Sequence, residues 1–421
     1  MRFRALCGVV LLAACEPAVT SPVKVMAIVP NRTGTYDTRQ VEITTADSIV
    51  HMTGSLLTLV GGAQIEIPAE DPPAGATNEQ LFELMMKNKG QSVRASFVDK
   101  SGVLWPADFH SWAMTTTYYN YEQAFAYYQK IYNGKSTEEL KNIRVFYWAG
   151  FKDLTGLSDL DQRDNAIFLS TVGSFMVLPF EKFQKVPLSL NIGVIGHEFA
   201  HLVFNKKVYE GAALPLPLVT WSLAPFNLLK SMDEGFADFH GYGVTCTTAA
   251  SGSGCLPSFL SASIADKDVL AARNIADATH CMTAELRSAF NNFQPTQFTR
   301  PGLQYKIGTL IATSLYQASA PLGKEDVMQK ALIESLDDPS AAKPGFRQVI
   351  NLNLQTQQAF TPELMVNTIA IHISDLDLKR QVCKQLSDRL QLAECPSFPC
   401  DAVPACDSAT KGTSCPVLPP Q

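Results

Sequence analysis

Positive charge is scarce in this 421-residue chain: 34 Lys and Arg stand against 40 Asp and Glu, for a net charge of −6. No long Lys/Arg run occurs, so the electrostatic footprint needed for nucleic acid is missing and that class of partner is set aside. Charged residues make up only 18% and hydrophobic ones 46%. That balance excludes a disordered or fibrous chain, and the length allows two or three domains with a sizeable core. No internal repeat is present. A clean membrane-spanning run is missing too. Residues 211–229 are uncharged over nineteen positions, but they contain Pro215, Pro217 and Pro225. Each proline removes a helical donor, which predicts a buried or lip-forming loop, still able to touch a membrane. The ten cysteines include no C-x-x-C pair, so disulfides are favoured over a cysteine-based zinc site.

What is present begins at the N-terminus. Residues 1–14 read MRFRALCGVVLLAA, with Arg2 and Arg4 ahead of an apolar run too short to span a bilayer. Leu12-Ala13-Ala14-Cys15 resembles the lipobox of bacterial lipoproteins. The resemblance implies cleavage before Cys15, diacylation of its thiol and a membrane anchor. Glu16 after the cysteine points, on the same grounds, to the outer membrane or cell surface. The other reading is a secretory signal cut near Ala18. Loss of residues 1–14 takes away the two charges of Arg2 and Arg4 and leaves −8. With Cys7 in the signal and Cys15 acylated, Cys246, Cys255, Cys281, Cys383, Cys395, Cys400, Cys406 and Cys415 remain for up to four disulfides. Cys246 and Cys255 flank the polar TTAASGSG and are expected to pair across it; the other connectivity stays open.

Residues 15–105 carry β-branched segments (VKVMAIVP, VEITTADSIVHM, GAQIEIP, VRASFVDKSGVLW) parted by GG and DPPAG. They predict a small β-rich domain with a helix over 78–89. His51 and His110 stand isolated. Beyond residue 106, Ala124, Tyr127, Tyr128 and Ile131 recur at helical spacing, and this aromatic stripe is assigned to the core. IRVFYWA reads as a buried strand, NAIFLSTVGSFMVLPF as a strand pair around Gly173, and KIGTLIATSLYQ as a helix. The rest of 106–394 is largely helical. Residues 395–421, with four Cys and six Pro, read as a cross-linked tail.

The chemistry sits in SLNIGVIGHEFAHLVF and SMDEGFADFHG. On a helix His197 and His201 share a face, so both imidazoles can reach one ion while Glu198 leans toward its open position. Two histidines need a third protein ligand to make a catalytic zinc site. Glu234 can supply it, and Asp238, four residues on, can accept the free N–H of His197 or His201. Ser231-Met232-Asp233-Glu234 also matches a capping box, in which Glu234 only caps its own helix.

HEFAH followed by DEGFADFHG resembles the Glu-zincin (gluzincin) metallopeptidases of the thermolysin and fungalysin type, over roughly residues 115–316. The resemblance implies an α+β fold, a zincin-like domain with a mixed sheet and a helical C-terminal lobe; the small β-rich domain before it is read from the residues and is uncharacteristic of the family. It implies one catalytic Zn²⁺ and a peptide or protein substrate, hydrolysed by zinc-activated water with Glu198 as general base. Asp164-Asn165-Ala166-Ile167-Phe168 is similar to the substrate-binding edge strand of that group. Asn165 would then bind substrate through its side chain and Ala166 through its main chain. The family's later histidine, an oxyanion donor, is replaced. Gln304-Tyr305-Lys306-Ile307-Gly308 stands where His-x-x-Gly is expected, leaving Tyr305 either as the donor or as a packing residue at a helix start. His240 and His280 are the reserves. Asp153, Asp159, Asp161 and Asp164 form an acidic loop open to Ca²⁺, but without an EF-hand pattern a solvated loop is preferred. The alternative to an enzyme is a surface lipoprotein that keeps a zincin fold for binding or adhesion.

Overall fold

A computed structural model describes residues 22–31, 34–68, 76–132, 134–153, 165–170, 173–180, 185–210, 223–247, 255–292, 303–356 and 358–392. The first part is β-rich: β1 (Val23–Pro30), β2 (Tyr36–Ile43), β3 (Ala46–Ser48), β4 (Thr53–Gly54), β5 (Leu57–Gly61) and β6 (Gln64–Ile67) precede α1 (Asn78–Met85). Then come β7 (Met86–Asn88), β8 (Gln91–Ser92), β9 (Phe97–Lys100), β10 (Val103–Pro106) and the long α2 (Phe109–Ile131). Four more strands follow: β11 (Ile143–Tyr147), β12 (Gly150–Asp153), β13 (Ala166–Leu169) and β14 (Ser174–Val177). The remainder is helical, with α3 (Ile192–Val208), α4 (Leu223–Thr247), α5 (Lys267–Ala272), α6 (Ala284–Asn292), α7 (Leu303–Ser319), α8 (Glu325–Leu336), α9 (Phe346–Thr356), α10 (Pro362–Ile371) and α11 (Leu376–Leu390). The expected α+β class with a helical C-terminal part is what forms.

The sheet that bears on the site runs β13-β14-β11-β5-β4-β3. It is mixed: β11 pairs in parallel with β5 and β14, and β13 lies antiparallel to β14 at one edge. β5 comes from the segment before residue 105 and β11 from after it, so both segments share this sheet. They also share one hydrophobic core, which extends from Val23 to Leu392. The aromatic stripe of α2 is buried as expected. Tyr121 packs on Phe175 of β14 at 5.0 Å between ring centroids, and Tyr128 stacks on Phe199 of α3 at 5.2 Å. One helix thus fixes the distance between the sheet and α3.

Two helix boundaries differ from expectation. The helix over 78–89 stops at Met85, where the chain turns into β7. The loop through 229 ends earlier, because α4 already begins at Leu223. Pro225 sits in its first turn, where an N–H has no intrahelical acceptor to lose. Residues 211–222 lie outside the described residues, as do the proposed signal, Cys15, the acidic loop's Asp159, Asp161 and Asp164, and the tail. Cys246 and Cys255 form the expected disulfide, and Cys281 and Cys383 are disulfide-bonded too. No described helix is long and apolar enough to cross a membrane.

α7 crosses α4 with glycine on both sides. A Cβ on Gly308 would meet the Glu234 Cβ at 2.7 Å, and one on Gly235 would meet the Gly308 carbonyl oxygen at 2.7 Å. Backbone therefore lies against backbone beside Glu234. Gly308→Ala is expected to force the helices apart and lower stability by about 1–3 kcal/mol, measurable by urea unfolding.

Candidate metal centre

α3 carries the His197–His201 pair. Its start is fixed by Asn191, whose side chain accepts from the backbone N–H groups of Gly193 (3.0 Å) and Val194 (3.3 Å) and donates to the Phe259 carbonyl (2.8 Å). Both histidines project toward α4. Ligand atoms of His197, His201 and Glu234 lie within 4.8 Å of one another. The Glu234 Oε2 is 3.4 Å from His197 Nε2 and 3.7 Å from His201 Nε2, and the two Nε2 atoms face each other at 3.1 Å. Glu234 lies eleven residues inside α4, so the helix-cap reading of this residue fails.

The opposite ring nitrogens are held by carboxylates. Asp238 Oδ1 is 3.0 Å from His197 Nδ1, and Asp233 Oδ1 is 2.7 Å from His201 Nδ1. An ionised carboxylate only accepts, so the hydrogen-bonded Nδ1 of His201 bears the hydrogen, the Asp238 charge favours the same tautomer in His197, and each Nε2 then presents a lone pair. Two lone pairs and a buried Glu234 Oε2, without a hydrogen-bond partner among the described residues, then converge on one point. That set calls for a cation, and two imidazoles with one carboxylate fit zinc. Without metal the same charges hold a proton. Burial lowers the basicity of His197, but Asp238 and Glu234 outweigh it and carry its pKa up to about 10. His201 is likewise raised, against burial, by Asp233 and Glu234.

Asp238 is itself braced. Arg273 donates to it through Nε (3.1 Å) and Nη2 (2.5 Å), and the Thr309 hydroxyl is 3.4 Å away. Burial alone would raise the Asp238 pKa; Arg273 and His197 reverse this and bring it down to about 2. The Arg273 guanidinium also lies over the Tyr305 ring, 4.6 Å from its centroid. Tyr305 is thereby placed beside the cluster, on the first turn of α7. The Glu234 charge, with burial, pushes its phenol pKa up, so it stays protonated and able to donate.

Glu198 is buried on α3. Burial raises its carboxyl above the usual range, against the pull of His197 and His201. Its Oε2 accepts the backbone N–H of Phe168 at 2.7 Å, which ties it to the edge strand β13. Asn165 and Ala166 precede Phe168 there, and the Asn165 side-chain oxygen accepts the Ala166 N–H at 2.9 Å.

The two reserve histidines are placed elsewhere. His240 is buried among aromatic rings, with Nδ1 2.8 Å from the Tyr127 hydroxyl. His280 has Nδ1 3.2 Å from Thr313 Oγ1, two turns along α7 from Tyr305 and about 12 Å away along its axis. Asp233, Arg273 and the Phe168 N–H escaped the sequence reading. Asp233 carried a signal, a carboxylate next to a ligand, but its partner lies on another helix. Arg273 and a backbone N–H carry none.

Two predictions arise here. Substituting Asp233→Ala should weaken zinc binding by about 10–100-fold, with Asp233→Asn losing less because its amide oxygen still accepts; competition with a fluorescent chelator measures this. His240 is pushed by burial from the ordinary 6.5 down to about 3. Between those pH values the unfolded chain binds a proton that the native state excludes, so this group withdraws stability as pH falls from 6.5 toward 3. His240→Gln should flatten the dependence of unfolding free energy on pH there by about one proton, as read from urea titrations at several pH values.

No family model matches the chain, and no curated protein matches it. Among solved structures the fold is similar to the precursor of protealysin, a metalloproteinase from Serratia proteamaculans. The identity is 13% and the TM-score 0.44, with 78% of this chain and 87% of that chain covered.

Proposed function

We propose that this chain is a zinc-dependent endopeptidase of the gluzincin type. One observation carries the reading: His197, His201 and Glu234 aim two lone pairs and an unpartnered carboxylate oxygen at one point, with Glu198 buried beside them. Zinc bound there supplies Lewis acidity that polarises a carbonyl and lowers the pKa of water. Glu198, its pKa raised by burial, takes the proton of the attacking water and passes it to the leaving amine. Tyr305 donates its hydroxyl hydrogen to the oxyanion. Asp238 and Asp233 keep the imidazoles oriented, and Arg273 holds Asp238. The open edge of β13 binds an extended peptide through Ala166 main chain and the Asn165 side chain.

Metal content and digestion of an unbiased peptide library test this together. One zinc per chain, with cleavage lost on chelation and regained on adding zinc, is the expected result. Zinc without cleavage of any peptide would leave the binding or adhesion alternative; cleavage that survives metal stripping would remove the zinc mechanism altogether. We propose further that Cys15 anchors the mature chain to the bacterial envelope by its acyl groups, at the outer membrane or surface. Labelled fatty acid should then enter the wild type and not the Cys15→Ser variant.

A further inference from the structure

The edge strand β13 has four residues, and only alternate ones can face outward. Leu178 N–H donates to the Asn165 carbonyl at 2.9 Å, and the register pairs Ala166 with Val177 and Phe168 with Phe175. In an antiparallel ladder hydrogen-bonded pairs alternate with non-bonded ones. Ile167 and Leu169 therefore bond toward β14, while the N–H and C=O groups of Ala166 and Phe168 point to the other edge, which no strand covers among the described residues. Both outward N–H groups are already taken by side chains: Ala166's by Asn165 and Phe168's by Glu198. The outward carbonyls face the edge. A peptide adding a strand here needs the Phe168 N–H for one of its own carbonyls, and Glu198 occupies it.

We propose that Glu198 is latched to the edge strand by the Phe168 N–H, and that an extended peptide releases the carboxylate by offering its carbonyl to that N–H. The inference rests on the peptidase reading and deepens it: docking of the substrate backbone and deployment of the base become one event. A peptide too short to reach Phe168 leaves Glu198 held. A water at the site would meet a base still engaged in a charge-assisted hydrogen bond, which limits wasteful proton transfer before a substrate is seated. Asn165 at the Ala166 N–H repeats the arrangement without a titrating group.

Residue-resolved amide exchange tests the latch without reference to catalysis. In the free wild-type protein the Phe168 amide should be protected. Glu198→Ala should cut that protection by at least about tenfold, leaving Ile167 and Leu169 unchanged because they bond to β14. Glu198→Gln keeps an acceptor and should retain it. Unchanged exchange at Phe168 in the alanine variant, or equal loss in both variants, overturns the latch. A capped alanine hexapeptide added to the Glu198→Ala protein should restore protection at Phe168 and bind about tenfold tighter than to the wild type. Failure to restore it overturns the displacement. Failure of the peptidase reading shows differently, as no peptide cleavage by the zinc-loaded wild type while the Phe168 exchange still responds to Glu198.

Discussion

Glu198→Gln is expected to bind zinc as the wild type does and to lose hydrolysis of a denatured protein substrate by about 10²–10⁴-fold. Gln matches Glu in shape and can still accept from Phe168, so α3 and β13 keep their geometry. It cannot take a proton. Zinc content stays because Glu198 is not among the three converging groups, His197, His201 and Glu234. The separation of the two readouts is the test: metal content by elemental analysis, hydrolysis by release of new amino termini. Full activity in this variant would remove Glu198 from the proton path. The pKa of Glu198, raised by burial, adds a condition on pH, since a base held above the usual carboxylate range loses its function on mild acidification earlier than an exposed one would.

Tyr305→Phe should lower kcat by about 10²–10³-fold while leaving KM and zinc affinity near their wild-type values. The ring remains, so its contact with Arg273 and the brace on Asp238 survive. Only the hydroxyl hydrogen is lost. A donor aimed at charge that develops during reaction acts on the transition state and little on the ground state, which is why kcat carries the effect. If kcat and KM are both unchanged, Tyr305 is a packing residue at the start of α7.

The candidate metal set is legible in sequence because each helix contributes residues at helical spacing. His197 and His201 are four apart, Glu234 and Asp238 are four apart, and four residues is one turn. Asp233 falls outside that logic. It sits one residue before Glu234, about 100° around α4, and becomes meaningful only when His201 arrives from α3. Arg273 is 35 residues from Asp238 and has no periodic relation to it. The oxyanion candidates show the same limit from the other side. Three residues compete by type, Tyr305, His240 and His280, and only their placement separates them, His240 in the aromatic layer against α2 and His280 at Thr313. The strand pair around Gly173 is legible from alternating local texture and a glycine with φ +58° at the turn. The parallel pairing of β5 with β11 is not, because it joins segments separated by all of α1 and α2.

That pairing sets the order in which the molecule can be made. Leu57 must find Ile143 before β11 has a fixed neighbour on that side, and closing so long a loop is penalised before any contact rewards it. β13 and β14 pair with each other across a short turn, but they join the rest of the sheet only through β11. Local helices form on the microsecond scale, whereas a β13 edge anchored in the full sheet waits for the non-local pairing of β5 with β11. Helical signal should therefore return early in refolding, and competence late, with a lag set by topology rather than by metal.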